Sequence, residues 1–327
     1  MRPWLEAWHQ ALYGPDGFYR RPEGPAGHFR TAVHAAPDLL AAALARLAGL
    51  AGCGTVLDVG AGRGELLTAL AAADPGLRLH GVDVVPRPAG LPEPIGWSTI
   101  ADNTQLPRLP GGVLLVAWEL LDVVPCRVLE PDSDGTVREV LVGPDGTEQL
   151  GAATRSDWSR RWWPAARPGS RVEEGSSRDE AWAALLAAVP DGLLLAVDYG
   201  LTEPAPHGTL TGYRAGRQVP PVPDGSCDLT AHVFWPSLRR PGDRLLTQRE
   251  ALRALGFGPE PASFSGTALS GTAPSGTTLE RLVHRGRVGE LTDPGGLGGF
   301  GWLLAGAGRP IPDLFGGLSG RLFGPQR

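Results

Sequence analysis

The chain has 327 residues, 42% of them hydrophobic, and a formal net charge of −5. That is enough apolar material for one large domain or two, without the cationic field that draws nucleic acid. All 30 cationic side chains are arginine, and Cys53, Cys126 and Cys227 fall at no C-x-x-C spacing, so neither a disulfide framework nor a metal site is expected.

The first 14 residues hold no apolar signal segment, and no run of about 18 apolar residues occurs later, so a cytoplasmic protein without membrane or nucleic-acid partners is expected. Pro3 to Leu12 reads as a short helix with Trp4, Leu5, Trp8 and Leu12 on one face. The following stretch, residues 15–31, is too rich in Gly and Pro for a regular element. Asp38 then caps an Ala/Leu helix through Leu50 that stops at Gly52. Residues 1–52 are thus expected to form a helical lid over the strand ends of a sheet, with ordinary packing as the competing role for Phe18, Tyr19 and Phe29.

Thr55-Val56-Leu57-Asp58-Val59 is an apolar run that reads as a buried parallel strand, and Leu66 onward as a helix. Between them the pattern is D-x-G-x-G-x-G, carried by Asp58, Gly60, Gly62 and Gly64. A dinucleotide site needs a third glycine where this chain has Glu65, whose carboxylate would repel a pyrophosphate at the helix start. Asp58 could instead meet a cationic ligand such as the α-ammonium of S-adenosylmethionine. A second strand ends in Asp83, 23 residues after Gly60, near the spacing of roughly 20 at which an acid meets ribose hydroxyls. A Gly-rich turn with an N-cap acid is the plainer alternative.

A Pro-rich connection leads to a third strand from Gly96 and to Asp102, from which a carboxylate could reach an adenine amino group or cap the next turn. Residues 113–118 form another buried strand, followed by Glu119 and Asp122, three residues apart on one side of the succeeding turn or helix. Two carboxylates so placed could hold the fork of a guanidinium; N-capping of a helix is the alternative. Residues 128–150 alternate around two PDG-type turns and suggest a hairpin or three-strand meander. Trp158, Trp162 and Trp163 interleave with arginines, a pattern for nucleic acid or, here favoured, for a packed or partner-facing helix. A helix over Arg178–Val189 and an apolar strand from Leu193 ending in Asp198 come next. Residues 202–227 read as loop, with His232 packing against or orienting it, and contact with substrate as the alternative. A capping box at Thr247 and Glu250 opens a helix that stops at Gly256. SGT repeats suggest a flexible loop over 261–278, then a strand over Leu279–His284 and a Gly/Pro-rich tail.

Several local sequences, in order, resemble one family: A-L-Y-x-x-x-G-F-Y (Ala11 to Tyr19), G-x-F-x-T (Gly27, Phe29, Thr31), E-L-L-D-x-x-P (Glu119 to Pro125), V-D-Y-G (Val197 to Gly200), G-T-L-x-G-Y-R (Gly208 to Arg214) and D-L-T-A-H-V (Asp228 to Val233). The chain looks like a MidA-like methyltransferase, the family that includes the mitochondrial complex I assembly enzymes. The resemblance covers residues 8–235 and departs at His28, at Val33-His34 in place of P-E, at Trp118 in place of Asn, and at Gly216 in place of His. It implies a doubly wound Rossmann-like α/β sheet with donor-binding residues 53–260, insertions near 128–170 and 201–240, and a C-terminal strand and tail over 279–327. It further implies S-adenosyl-L-methionine as cofactor, with Asp58, Gly60, Gly62, Gly64, Asp83 and Asp102, aided by Phe29 and Thr31, holding it. Glu119 and Asp122 would hold the acceptor, a protein arginine, and no metal is implied. A donor-binding assembly protein without turnover, and a nicotinamide-dependent oxidoreductase, are the other classes; the oligomeric state is open, a homodimer included.

Overall fold

The computed structural model describes residues 1–21, 32–100, 106–108, 112–164, 166–258 and 278–316. The expectations for Phe29, Thr31, Asp102 and the SGT repeats lie outside the described residues. A seven-stranded sheet organises the chain. Its strands are β1 (Thr55–Val59), β2 (Arg78–Asp83), β3 (Gly96–Thr99), β4 (Val113–Trp118), β5 (Gly192–Asp198), β6 (Arg244–Thr247) and β7 (Gly301–Ala307). The order is β3-β2-β1-β4-β5-β7-β6. The β1–β2, β2–β3, β1–β4 and β4–β5 pairings are parallel, while β7 runs antiparallel to both of its neighbours. Strand order reverses between β1 and β4, so a crevice opens at their carboxyl ends, where ligands of such sheets sit.

The sequence dictates this arrangement through burial on both faces. Every residue of β1, β4 and β5 is buried, which is why these strands read as continuous apolar runs rather than alternations. Val56, Leu114, Val116, Leu193 and Leu195 join one core with Leu40, Leu44 and Leu47 of α2 (Pro37–Leu50) and Leu66, Leu67 and Leu70 of α3 (Glu65–Ala73). Their alternate neighbours Leu57, Leu115, Leu194 and Ala196 pack on the other face with Trp182 and Leu185 of α4 (Ser176–Ala188) and with Trp235. The capping box at Thr247 and Glu250 is present and opens α5 (Gln248–Ala254).

A third core lies outside the sheet. The N-terminal helix α1 (Trp4–Tyr13) buries Trp4, Trp8 and Leu12 against Val128, Val140, Val142 and Leu229. Its preceding residues Arg2–Pro3 pair with Val137–Val142 of a sheet built from the insertion, which also contains Arg127–Pro131, Glu148–Ala153 and Val172–Glu174. That helix is therefore joined to the insertion, whereas α2 packs on the main sheet. Trp158 and Trp163 are buried in a small core with Leu129, Val137 and Val172.

Two sequence expectations are corrected. Leu279–His284 is no strand but part of a helix, α6 (Thr278–Thr292); its buried Val288 and Leu291 are three apart, a helical spacing. The strand of this region is β7, in the Gly-rich tail. Residues 202–227 are not all loop: Thr211–Arg214 and Arg217–Val219 form a hairpin. Its two-residue turn, Ala215-Gly216, has φ of 49° and 74°, the both-positive geometry that favours glycine, and this gives Gly216 a structural reason.

Candidate functional site

The crevice has a donor side built by β1 and β2. Gly60, Gly62 and Gly64 take φ of 77°, 58° and 76°, so the loop after β1 turns through left-handed conformations that a Cβ disfavours. Asp83 fastens this loop to β2: its Oδ2 accepts from the Gly62 N–H at 2.7 Å and its Oδ1 from the Val85 N–H at 3.2 Å. A Cβ on Gly60 would meet Leu120 Cδ1 at 2.9 Å and one on Gly64 would meet Leu91 Cδ1 at 2.4 Å, but on Gly62 it would meet only Glu65 Oε2, at 3.8 Å. A Cβ would thus press on a leucine methyl at Gly60 and Gly64 but make only an ordinary contact at Gly62, which leaves room there for a ligand.

Asp58 is buried at 3% exposure. Burial, reinforced by the charges of Asp83 and Glu65, pushes its carboxyl up to about 7. Asp83 is also raised, chiefly by burial, with the Gly62 and Val85 N–H bonds opposing. Among the described residues this is an acidic cradle, and an α-ammonium or sulfonium would relieve it. Glu65, the first residue of α3, accepts from the Arg63 N–H at 3.2 Å and lies 3.5 Å from His34. One of the departures from the family pattern therefore faces the helix start.

The acceptor side is built by the ends of β4 and β5. Glu119 continues the β4 ladder through its N–H to Val197 and is held at φ 50°, strained for a side chain with a Cβ. The segment after it is a turn leading to Arg127–Pro131, so N-capping of a helix explains neither Glu119 nor Asp122. Asp198, fully buried at the end of β5, accepts from the N–H groups of Leu121, Asp122 and Tyr199 at 3.0, 3.1 and 3.0 Å. It thereby fixes the turn that carries Asp122.

Asp122 Oδ2 accepts from Tyr199 OH at 2.5 Å and Thr230 Oγ1 at 2.6 Å, and these two hydroxyls also meet each other. Its Oδ1 is buried without a hydrogen-bond partner. Tyr19 OH donates to Asp228 Oδ1 at 2.8 Å, and Tyr13 OH to the Val123 carbonyl at 3.1 Å. Burial raises the carboxyls of Asp122, Asp198 and Asp228; Asp122 and Glu119 push the last two further. The buried cation is Arg178, whose guanidinium donates to the carbonyls of Asp122, His232 and Val124 at 2.7, 2.7 and 3.3 Å. Burial raises the Tyr13 phenol, and the charges of Asp228, Asp122 and Asp83 raise it further.

Glu119 and Asp122 lie on the same turn after β4 and differ in burial: Glu119 is half-buried while Asp122 is enclosed at 4% exposure. Sequence reasoning missed Tyr199, Thr230 and Arg178 as partners of Asp122. The V-D-Y-G and D-L-T-A-H-V segments carried the first two, while Arg178 is one arginine among many. Among the described residues, no group of three or more His, Cys, Asp or Glu is placed to hold a metal ion, and no helix is long and apolar enough to cross a membrane.

Residues 78–251, more than half of the chain, match a family described as "Putative S-adenosyl-L-methionine-dependent methyltransferase". No curated protein matches. Among solved structures, a superfamily member from Burkholderia thailandensis bound to S-adenosyl-homocysteine is 22% identical, with a TM-score of 0.74 over 96% of this chain and 90% of that one. A second superfamily protein from the same organism is 21% identical, with a TM-score of 0.71 over 96% and 89%. At such identities the likeness is one of fold.

Proposed function

The chain belongs to this family of S-adenosyl-L-methionine-dependent methyltransferases, and on that premise we propose that it N-methylates a protein side chain, with an arginine guanidinium as acceptor. The observation that carries the proposal is charge: Glu119 stands half-buried above Asp122, Asp198 and Asp228, which are buried beside a single buried cation, Arg178, among the described residues. Such a pocket favours a cationic acceptor.

The donor residues fit the cofactor. Gly62 leaves space, Asp83 keeps a half-buried carboxyl at the end of β2, and Asp58 offers negative charge beneath the loop. Bound there, S-adenosylmethionine supplies a methyl group activated by its sulfonium. The chain's own work is positioning. Glu119 takes the outward N–H bonds of the guanidinium, fixes its plane and holds the proton that the acceptor nitrogen sheds. Asp122 supports it from behind with its charge, oriented by Tyr199, Thr230 and the Asp198-held turn. Tyr13 and Tyr19, tied to Val123 and Asp228, close the N-terminal segment over the crevice.

The test is incubation with cell extract and methyl-labelled donor, followed by amino-acid analysis of the hydrolysed protein. Labelled methylarginine, lost with Glu119→Gln, supports the proposal; label in methyl-lysine alone refutes the choice of acceptor. The enclosure of Asp122 favours a second reading, a donor-binding assembly protein without turnover. It expects donor binding with no labelled residue at all.

A further inference from the structure

The amino-acid end of the donor is a zwitterion, with an α-ammonium and an α-carboxylate on one carbon, so a site for it needs groups that answer both signs. Asp58, Asp83 and Glu65 answer the first; they stand close enough that the charges of Asp83 and Glu65 act on Asp58. The geometry about Gly62 shows what answers the second. A Cβ on Gly62 would lie 3.8 Å from Glu65 Oε2, and the other oxygen of that carboxylate, Oε1, lies 3.5 Å from His34 Nε2. The imidazole therefore borders the room above Gly62, paired with Glu65 at a distance too long for a tight hydrogen bond. The backbone fixes this placement. His34 belongs to a single helical turn, Ala32–Ala35, that leads into α2. Ala35 and Ala36 are buried in the core on the α2 face of the sheet, and Val33 packs against the same core. The His34 side chain turns out of that core, 31% exposed beside Glu65 at 35%. The resembled family pattern has P-E where this chain has Val33-His34, so an acid is exchanged for a hydrogen-bond donor at the edge of the donor site.

We infer that the imidazole of His34 holds the α-carboxylate of the donor, while Glu65 and Asp58 answer its α-ammonium. This inference rests on the placement of the donor over Gly62 with its ribose at Asp83. From there the amino-acid end passes Glu65 and meets the imidazole. An N–H bond to a carboxylate is charge-assisted and among the stronger hydrogen bonds. The site thereby gains a means of telling the intact donor from an analogue that lacks the carboxylate. Arg63, exposed on the same loop, is the competing cation.

The experiment is calorimetric titration of the full chain with S-adenosyl-homocysteine and with S-adenosyl-3-thiopropylamine, the same molecule without its carboxylate. Competition against S-adenosyl-homocysteine extends the second titration to weak binding. Wild type is expected to prefer the carboxylate-bearing ligand by about tenfold or more, the worth of one hydrogen bond to a charged group. His34→Ala is expected to lose most of that preference by weakening S-adenosyl-homocysteine alone, with the decarboxylated ligand held within about twofold. His34→Gln keeps an N–H donor and is expected to restore most of it. The side chain lies outside the core, so both variants are expected to fold. Equal weakening of both ligands in His34→Ala would show a structural role only and overturn the inference, as would a preference that survives the substitution. A preference lost with Arg63→Ala instead gives the carboxylate to Arg63. If Gly62→Ala weakens both ligands while His34→Ala weakens neither, the donor placement stands and the role of His34 falls. A wild-type chain that binds neither ligand sinks both.

Discussion

Gly62→Ala separates a loop that cradles the donor from one that is merely a tight turn. Its φ of 58° is left-handed, and the added Cβ would meet only Glu65 Oε2, at 3.8 Å, an ordinary contact. The fold therefore loses only the backbone term, about 1–2 kcal/mol, which lowers Tm by roughly 2–8 °C in a domain of this size class. Gly64→Ala is the counter-example. There the Cβ would lie 2.4 Å from Leu91 Cδ1, in the core, at φ 76°, adding an overpacking cost of about 1–3 kcal/mol to the same backbone term. The donor passing over Gly62 would feel the new methyl directly, so its affinity falls at least tenfold, about 1.4 kcal/mol. Differential scanning fluorimetry reads the first quantity and calorimetric titration of S-adenosylmethionine the second. Donor affinity within twofold of wild type in a folded Gly62→Ala variant would refute the placement of the donor over this loop.

Three further perturbations test the surrounding chemistry. Burial holds the Asp58 carboxyl at about 7 against its ordinary 3.8. The folded chain therefore binds the extra proton between those values, and stability falls as pH rises through that window, by roughly 4 kcal/mol at most. Asp58→Asn is expected to raise the urea midpoint at about pH 8 and to leave it near wild type at about pH 4; the same change at both refutes the assignment. Arg178→Ala strands the carbonyls of Asp122, Val124 and His232, the first of them buried, and costs about 3–5 kcal/mol, read from urea unfolding at unchanged m-value; a loss under about 1 kcal/mol would mean water replaces the guanidinium. Thr247→Ala removes the hydroxyl half of the α5 capping box and should cost about 1 kcal/mol, with amide exchange of Glu250 speeding first.

What the sequence made legible follows from where the structure keeps its information. β1, β4 and β5 are buried on both faces, so their composition alone marks them. The glycine loop and Asp83 were readable because backbone geometry at Gly60, Gly62 and Gly64 constrains residue type directly. The acceptor cluster was only half readable. Asp122 stood out by its neighbour Glu119, but its partners Tyr199 and Thr230 lie 77 and 108 positions away, and no local period reports such contacts. The misread of Leu279–His284 came from a brief apolar burst, in which the buried positions three residues apart, farther along the helix, were the better guide.

The position of β7 has a consequence for how the chain reaches this state. The last strand among the described residues, Gly301–Ala307, sits between β5 and β6 rather than at a margin. During vectorial synthesis β1 to β5 can zip together as they emerge, but β5 must then wait for more than a hundred residues with one flank open, and β6 has no strand to join until β7 arrives. An open flank of Leu, Ala and Val is an invitation to pair with a stranger. A ribosome halted anywhere before Gly301 would release a sheet with a cleft where its keystone strand belongs.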